Sequence, residues 1–485
     1  MTARYYSETF FLSLLMLCFI TLPICAQEVL ISKDINVRLD ANYELLGKVG
    51  DNILLFRDVE ENQLIEVFDN DLAYKYGRDI SLEGDKRRIY AVIADESQFS
   101  ITYGVAERDS FLLRLKRMDG NGDLLDSLQL HSIARKDISG RFKYSFSEDR
   151  SKLLLFNKMR RDEFYFIMID LVNGSLSWEQ KIPIEEKNFD AEFQDILISN
   201  DEHVYMLFEL SNNRYDRKKH SFEVFHFFEN SGTTPPIVLS FPEFLSKDTH
   251  LALDEKNGNV LIIGLYTEAN RSSAYGYFYS KFPSNFSLSE PEIVLNQFDA
   301  KFLEEVYADR RRINETLDYY FIKDVVFTED GGFIWIGEMY REYFRRTNNP
   351  YGRDVRNYGD SRGYIDYYNE DMVVFGLDPS GEELWRNVLY KKQFSQDDEA
   401  INASFFTMKT PSRLRLLYND EIKKSNTVSE YLLDPLGNFH RKTVLNTEYE
   451  KLRLQFVDSR QIDGASLVVP SLTASTLNLV KISFN

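Results

Sequence analysis

The stretch GLDPSGEELW occupies residues 376–385, and LLDPLGNFH at 432–440 reads as a worn copy of it. RMDGNGDLL at 117–125 and MIDLVNGSL at 168–176 carry the same elements. In each, an aspartate opens a short turn and a glycine closes it. The carboxylate caps backbone N–H groups of the turn, proline where present fixes φ, and glycine adopts the positive φ the turn requires. A strand-like run stands on both sides: DMVVFGL (371–377) and EELWRNVL (382–389), FYFIMID (164–170) and SLSWEQKI (175–182). Such a turn between alternating β-branched and aromatic residues is a hairpin.

A second repeated unit precedes each hairpin. YSFSEDRSKLLLFNK (144–158), ILISNDEHVYMLFEL (196–210), LALDEKNGNVLIIGLY (251–266) and VVFTEDGGFIWIGEMY (325–340) share one design. A strand ends in an acidic turn, and a more apolar strand follows. The second strands are near-continuous apolar runs, as expected of strands covered on both faces. Each repeat therefore has four strands, a to d. A lone four-stranded sheet leaves both faces wet, whereas blades stacked around an axis cover each other, so repeats of this length predict an all-β β-propeller. The blades are expected at 40–83, 88–130, 142–183, 193–240, 249–295, 320–393, 400–446 and 450–485. That count is eight. Seven is the competing count because 27–83 is the least regular stretch, and a β-sandwich pair or a solenoid is the remaining alternative. The last segment has only three clear strands, and EVLISKDINVRL (28–39) supplies the fourth that would close the ring. A short helical insertion is expected near 298–316, where Phe302, Val306 and Ile313 recur at helical spacing.

The outer hairpin LDPSGEELWRN resembles the repeat of PQQ-type and WD40-like propellers, in which Asp-x-x-Gly precedes a Leu-Trp pair. The resemblance covers about a dozen residues per blade and implies the propeller, not a quinone. No cofactor is expected.

Residues 1–26 read as a signal peptide: Arg4, then FFLSLLMLCFITLPICA, with cleavage after Ala26. Residues 27–485 then form a single propeller domain. LPIC resembles a bacterial lipobox, with Cys25 as the lipidated residue, although Ile24 stands where Gly, Ala or Ser is usual. Membrane attachment is expected only in that case. The two cysteines, Cys18 and Cys25, both lie in this leader, so the mature chain has no disulfide and no thiolate site. Export without disulfides suits a bacterial envelope, periplasm or cell surface. The net charge of −19 argues against nucleic acid as a partner.

In a propeller the a–b and c–d turns share one face, and the b–c and d–a connections share the other. The first set reads EDRS, NDEH, DEKNGN, TEDGG, DGNGD and DPSGEE, an acidic face. The second set gathers basic residues: Arg160 and Arg161 in blade 3, Arg214, Arg217, Lys218 and Lys219 in blade 4, Lys423 and Lys424 in blade 7, and Arg310, Arg311 and Arg312 before blade 6. Blade 6 carries a long insertion at 340–371 with Arg341, Arg345, Arg346, Arg353, Arg356 and Arg362 among Tyr343, Tyr351, Tyr358 and Tyr364. Tyrosine and arginine combine large flat area with directed hydrogen bonds, and long insertions in compact repeats are functional more often than not. The bland alternative is a solvated loop whose arginines pair with its own Asp354, Asp360 and Asp366. Asp119, Asn121 and Asp123 alternate like the start of a calcium loop but lack the later glycine and acid, so no metal is expected. The six histidines form no metal or catalytic motif.

Three functions follow as expectations. The first is a non-enzymatic exported propeller whose Arg/Tyr-rich face binds an acidic protein surface or an anionic glycan. The second is a lyase or hydrolase of an acidic polysaccharide, marked by an axial pocket holding two carboxylates or a His–Tyr pair. The third is a structural envelope lipoprotein subunit.

Overall fold

The computed structural model describes residues 27–59, 62–135, 141–158, 163–183, 192–232, 235–268, 272–286, 291–308, 315–346, 363–420, 427–446 and 452–484. They form an eight-bladed β-propeller of four-stranded antiparallel sheets. Blade 1 runs from Asp40–Val49 to Tyr74–Ile80, and blade 2 from Arg87–Ala94 to Leu124–Ala134. Blades 3 and 4 follow from Lys143–Phe146 to Ser175–Pro183 and from Phe193–Ile198 to Ile237–Ser240. Blade 5 begins at Leu245–Asp254, blade 6 at Tyr320–Phe327 and blade 7 at Phe406–Thr410. Blade 8 takes Arg460–Gln461, Ser466–Thr473 and Thr476–Ser483 from the end of the chain and Glu28–Ile31 from its beginning. Glu28 pairs with Ser483 and Ile31 with Val480, so the N-terminal strand closes the ring. The first strand of each blade lies innermost.

The second strands are apolar because neighbouring blades bury both their faces. Ile53, Leu54, Leu55, Leu153, Leu154, Leu155, Val260 and Leu261 are all fully buried, although successive residues point to opposite sides. The core is accordingly a series of clusters between adjacent blades, one of which joins Leu154, Phe166 and Trp178 of blade 3 to Val204, Met206 and Phe227 of blade 4.

The repeated Asp–Gly turn has two tasks. Within a blade it ends strand c: the Asp378 carboxylate accepts the N–H groups of Ser380 (2.8 Å) and Glu382 (3.0 Å), and Asp434 accepts those of Leu436 (3.0 Å) and Asn438 (2.9 Å). Asp119 does the same with Asn121 and Asp123, both at 2.8 Å, which accounts for its calcium-like spacing. A fifth copy, not evident from sequence, sits in blade 1, where Asp69 accepts Asp71 and Ala73 and Leu72 takes the positive φ of 59°. Between blades, the bare glycine receives a side chain of the preceding blade. Tyr279 of blade 5 covers Gly381 and donates to its carbonyl at 3.0 Å. Trp385 of blade 6 covers Gly437 and donates from Nε1 to Pro435 O at 3.1 Å. Ile65 and Arg78 meet Gly122 in the same way, and Arg117 meets Gly174. The turn recurs because each copy is the socket for the blade before it.

The described part of the insertion after blade 5 contains a short helix, as its spacing suggests. One helix, Ala300–Val306, is capped by Asp299, which accepts the Phe302 N–H at 2.8 Å. Phe302 and Val306 are buried against Phe375, while Ile313 lies outside the described residues. A two-stranded pairing of Ser273–Ala274 with Leu317–Asp318 brackets it. Blade 6 differs from the expected loop. Its strands b and c extend to Phe333–Arg346 and Gly363–Leu377, so the described flanks of the insertion are a β-ribbon that stands above the disc. Gln393–Gln396 adds a third strand along Asp366–Asn369. Along the ribbon Glu342, Tyr343, Phe344 and Tyr364 are exposed, whereas Asp366, Tyr367 and Asn369 are buried where Gln393–Gln396 lies against the strand. No helix among the described residues is long and apolar enough to cross a membrane; residues 1–26 lie outside them.

Candidate functional site

The connections b–c and d–a share the upper face, as the topology demands. Of the residues expected to form a site there, Arg310, Arg311, Tyr351, Arg353, Arg356, Tyr358 and Arg362 lie outside the described residues. Arg345 and Arg346 continue the ribbon, in register with Tyr364 and Gly363. Arg341 is not free: its guanidinium is 2.8 Å from Glu370 and lies over the Tyr319 ring at 5.6 Å. Tyr343 meets the Tyr368 ring edge-on at 5.8 Å, and Tyr368 continues to Phe394 at 5.0 Å. Tyr343, Phe344 and Tyr364 stay exposed. Arg217 and Lys218 sit in a single 3-10 turn of the blade 4 loop, exposed beside Arg214 and Lys219, with Tyr215 97% exposed. Arg217 Nη1 reaches the Glu268 carbonyl of blade 5 at 3.4 Å.

At the foot of the ribbon, where the inner strands of blades 6 and 7 approach blade 8, a pocket of about 430 Å³ opens on this face. Lys323 and Asp324 enter it from the inner strand of blade 6, Tyr340 and Asn369 from the ribbon base, and Glu399 and Ser404 from the blade 6–7 connection. Phe405, Phe406 and Phe456 make it apolar on one side.

Three features distinguish this pocket. The first is Asp324. Blades 4, 5 and 6 carry the doublets Gln194-Asp195, Lys247-Asp248 and Lys323-Asp324 at a bulge of the inner strand. Asp195 spends its carboxylate on the Leu251 N–H of the next blade (3.0 Å), and Asp248 on the Ile322 N–H (2.6 Å). Asp324 has no such bond among the described residues. Lys247 likewise is sequestered: it donates to Tyr320 O at 2.6 Å, and burial pulls it down to about 8. Lys323 is exposed, with its ammonium 5.3 Å from the Tyr340 ring.

The second feature is the connection 397–404. Asp397 (φ 55°), Glu399 (φ 53°), Ala400 (φ 58°) and Ser404 (φ 66°) all take the left-handed conformation without being glycine. Each costs roughly 1–2 kcal/mol unless its surroundings enforce it, and such residues gather at functional sites. Here the connection is pinned through Asp397, whose N–H donates to Ile365 O (3.0 Å) and whose carboxylate accepts the Ile365 N–H (2.8 Å). The result is that Asp397, Asp398, Glu399 and Glu342 surround Tyr367. Desolvation and then these four carboxylates push its phenol above the ordinary range.

The third feature is a polar network behind the wall. Glu338 and Lys391 are fully buried, 2.6 Å apart. Glu338 Oε2 also accepts Asn369 Nδ2 (3.0 Å) and Ser404 Oγ (2.9 Å), and Lys391 donates to Gln393 Oε1 (2.7 Å). Burial pulls Lys391 below the ordinary lysine range. These bonds hold Asn369 and Ser404 rigidly at the pocket.

The upper face is thus divided. Blade 4 presents basic residues, whereas the blade 6–7 connection presents acids that charge sorting by loop overlooked. The lower face gathers carboxylates as expected in blades 3 to 5: Glu255, raised by burial, is raised further by Glu148, Asp201 and Asp149. The histidines do not converge on the axis. His203 Nδ1 and His226 Nε2 lie 2.7 Å apart at blade 4, beneath Tyr205. His131 meets Tyr165 and Glu179 between blades 2 and 3. No group of three or more metal-ligating side chains occurs among the described residues.

No protein-family model matches the chain, and no curated protein matches it. Solved structures similar to it include the Nup133 β-propeller domain of Vanderwaltozyma polyspora, at 11% identity and TM-score 0.42, covering 95% of this chain and 98% of that one. The WD40 domain of SCAP from fission yeast is similar at 9% identity and TM-score 0.41, covering 94% and 98%. Prolyl oligopeptidase B from Galerina marginata shows 12% identity and TM-score 0.40; the match covers 90% of this chain and 55% of that one.

Proposed function

We propose that this chain is an exported binding propeller that receives a protein partner with an acidic surface on its upper face, over blades 4 to 6. The observation that carries this reading is the blade 6 ribbon. Among the described residues no strand pairs with the outer edge of 341–346 beyond Tyr340. An open strand edge reads polypeptide backbone, and Tyr343, Phe344 and Tyr364 supply contact area beside it. The exposed Arg214, Arg217, Lys218 and Lys219 of blade 4 favour acidic surfaces and speed encounter. Binding to acidic polypeptides and anionic glycans at low and moderate salt tests the reading, with Tyr343→Ser/Tyr364→Ser and Arg217→Ser/Lys218→Ser as variants. Salt-sensitive polypeptide binding that both variants weaken is the expected result. Export is checked by the intact mass of the mature N-terminus, which is Gln27 if cleavage follows Ala26 and a lipidated Cys25 otherwise.

A second reading, hydrolysis or elimination on an acidic glycan, is favoured by one observation: Asp324, Glu399 and the Tyr340 phenol line one pocket. Release of reducing or unsaturated ends from anionic polysaccharides, abolished by Asp324→Asn, would establish it.

A further inference from the structure

The hydrogen-bonding capacity left over in the pocket is strongly one-sided. The Ser404 hydroxyl gives its proton to Glu338, the Tyr340 hydroxyl gives its proton to Glu342, and Asn369 Nδ2 donates to Glu338. What these side chains retain is mainly lone pairs. Asn369 Oδ1 is buried with no donor among the described residues. The carboxylates of Asp324 and Glu399 line the pocket and have no hydrogen-bond or ion-pair partner among the described residues. Against these, Lys323 is the one cation lining the pocket among the described residues.

Ammonium and guanidinium groups have donors and no acceptors. They therefore complement a wall that has mostly acceptors, and their positive charge matches the uncompensated carboxylates. An alkyl stem would lie along Phe405, Phe406 and Phe456 while its charged head reaches the acids. The comparison within the ring sharpens the case. At the equivalent bulges of blades 4 and 5 the aspartate is used to tie the next inner strand; among the described residues the blade 6 aspartate makes no such bond and lines a cavity instead.

We propose that the pocket formed by Asp324, Glu399, Asn369 and Tyr340 binds a primary ammonium or guanidinium group. The group comes either from a lysine or arginine side chain of a polypeptide or from a free polyamine. The inference stands on the pocket and does not require the partner proposed above.

Calorimetric titration of the full chain with cadaverine, agmatine and an N-acetyl-Gly-Lys-Gly-amide peptide tests it, with sorbitol and glutarate as neutral and anionic controls. Saturable binding of the amines and none of the controls is expected. Asp324→Asn and Glu399→Gln should each weaken it about 10-fold, the loss of one charge-assisted hydrogen bond. Lys323→Met should tighten it roughly threefold by removing a competing cation. A folding defect would move all three variants in one direction, so the opposite sign of the lysine variant separates a binding site from damage. Absence of amine binding, equal binding of sorbitol or glutarate, or wild-type affinity in both acid variants overturns the proposal. Tighter binding of the peptide assigns the ligand to a polypeptide, and equal or tighter binding of cadaverine or agmatine assigns it to a free amine. Both outcomes uphold the site, and the second removes this pocket from the support for a protein partner.

Discussion

Two buried polar pairs give contrasting tests of single residues. His203 and His226 share one hydrogen bond at 2.7 Å, so one ring must donate and the other accept. Protonating both would set two N–H groups head to head. Burial lowers both from 6.5, and the neighbouring His203 helps push His226 to about 4. Between pH 6.5 and 4 the unfolded chain then binds more protons than the folded one, so acidification removes stability progressively across that window and completely below it. Allowing for partial exposure, His226 should account for about 2 kcal/mol. Urea unfolding at pH 7.5 and 4.5 should show a fall in stability that is smaller by that amount in His226→Phe, which keeps the stacking on Tyr205. Glu338 tests the opposite case. Glu338→Gln leaves Lys391 buried without a counter-charge and should cost about 3–5 kcal/mol, whereas Glu338→Leu/Lys391→Leu should cost less than the single change. Urea midpoints at neutral pH decide both.

The residues that mattered most here were only partly legible. The turn aspartates could be read because their role is local: three bonds within five residues fix it. The doublets Gln194-Asp195, Lys247-Asp248 and Lys323-Asp324 were equally present in the sequence, one to three residues upstream of the repeats read there. Their roles diverge through contacts to the next blade, and no local pattern distinguishes Asp324 from Asp248.

At the level of elements, the socket and the side chain that fills it should fail together. Gly437 has φ 80°, and a Cβ there would collide with the Trp385 ring. Gly437→Ala should therefore cost about 2–4 kcal/mol, combining left-handed strain with displacement of a packed side chain. Trp385→Ala opens that space, so Gly437→Ala in the Trp385→Ala background should cost only about 1–2 kcal/mol, the backbone part. A thermal-unfolding double-mutant cycle measures the coupling. The strands themselves were legible from apolar runs and turn residues. The ribbon was not, because NNPYGRD at 348–354 gives the insertion the composition of a loop, and the residues its flank buries, Asp366, Tyr367 and Asn369, are not apolar in pattern. The short helix was legible from its spacing; among the described residues it ends at Val306, beyond which the Tyr307 hydroxyl donates to Thr316 O (2.8 Å) and accepts the Asp318 N–H (3.0 Å).

For the whole molecule, ring closure carries the sharpest expectation. Glu28–Ile31 covers the edge of Thr476–Ser483, and Ser32 Oγ accepts the Leu479 N–H at 2.9 Å. A chain lacking residues 27–36 should lose this strand, unfold at a lower temperature and associate through the bared edge. Calorimetry and light scattering across a concentration series would show both effects. Blade number was legible because the repeats are regular and the spare strand was visible at the start of the chain. The charge of the upper face was less so. Sorting loops by face captured blade 4, but it passed over Asp397, Asp398 and Glu399, whose convergence depends on left-handed turns that sequence does not announce.

The same seam sets an order of events in time. Its two halves lie at opposite ends of the sequence, so their meeting is the most non-local step in the molecule, and topologies that depend on such contacts fold slowly. Closing a long loop adds little entropy cost for each further residue. Once the intervening blades have stacked, the two ends are delivered to adjacent positions and the last strand can be captured. Until that moment Thr476–Ser483 offers an open template to any neighbouring chain. Substitutions in residues 28–36 should therefore be felt first in the yield and speed of maturation, before any change in what the finished ring recognises.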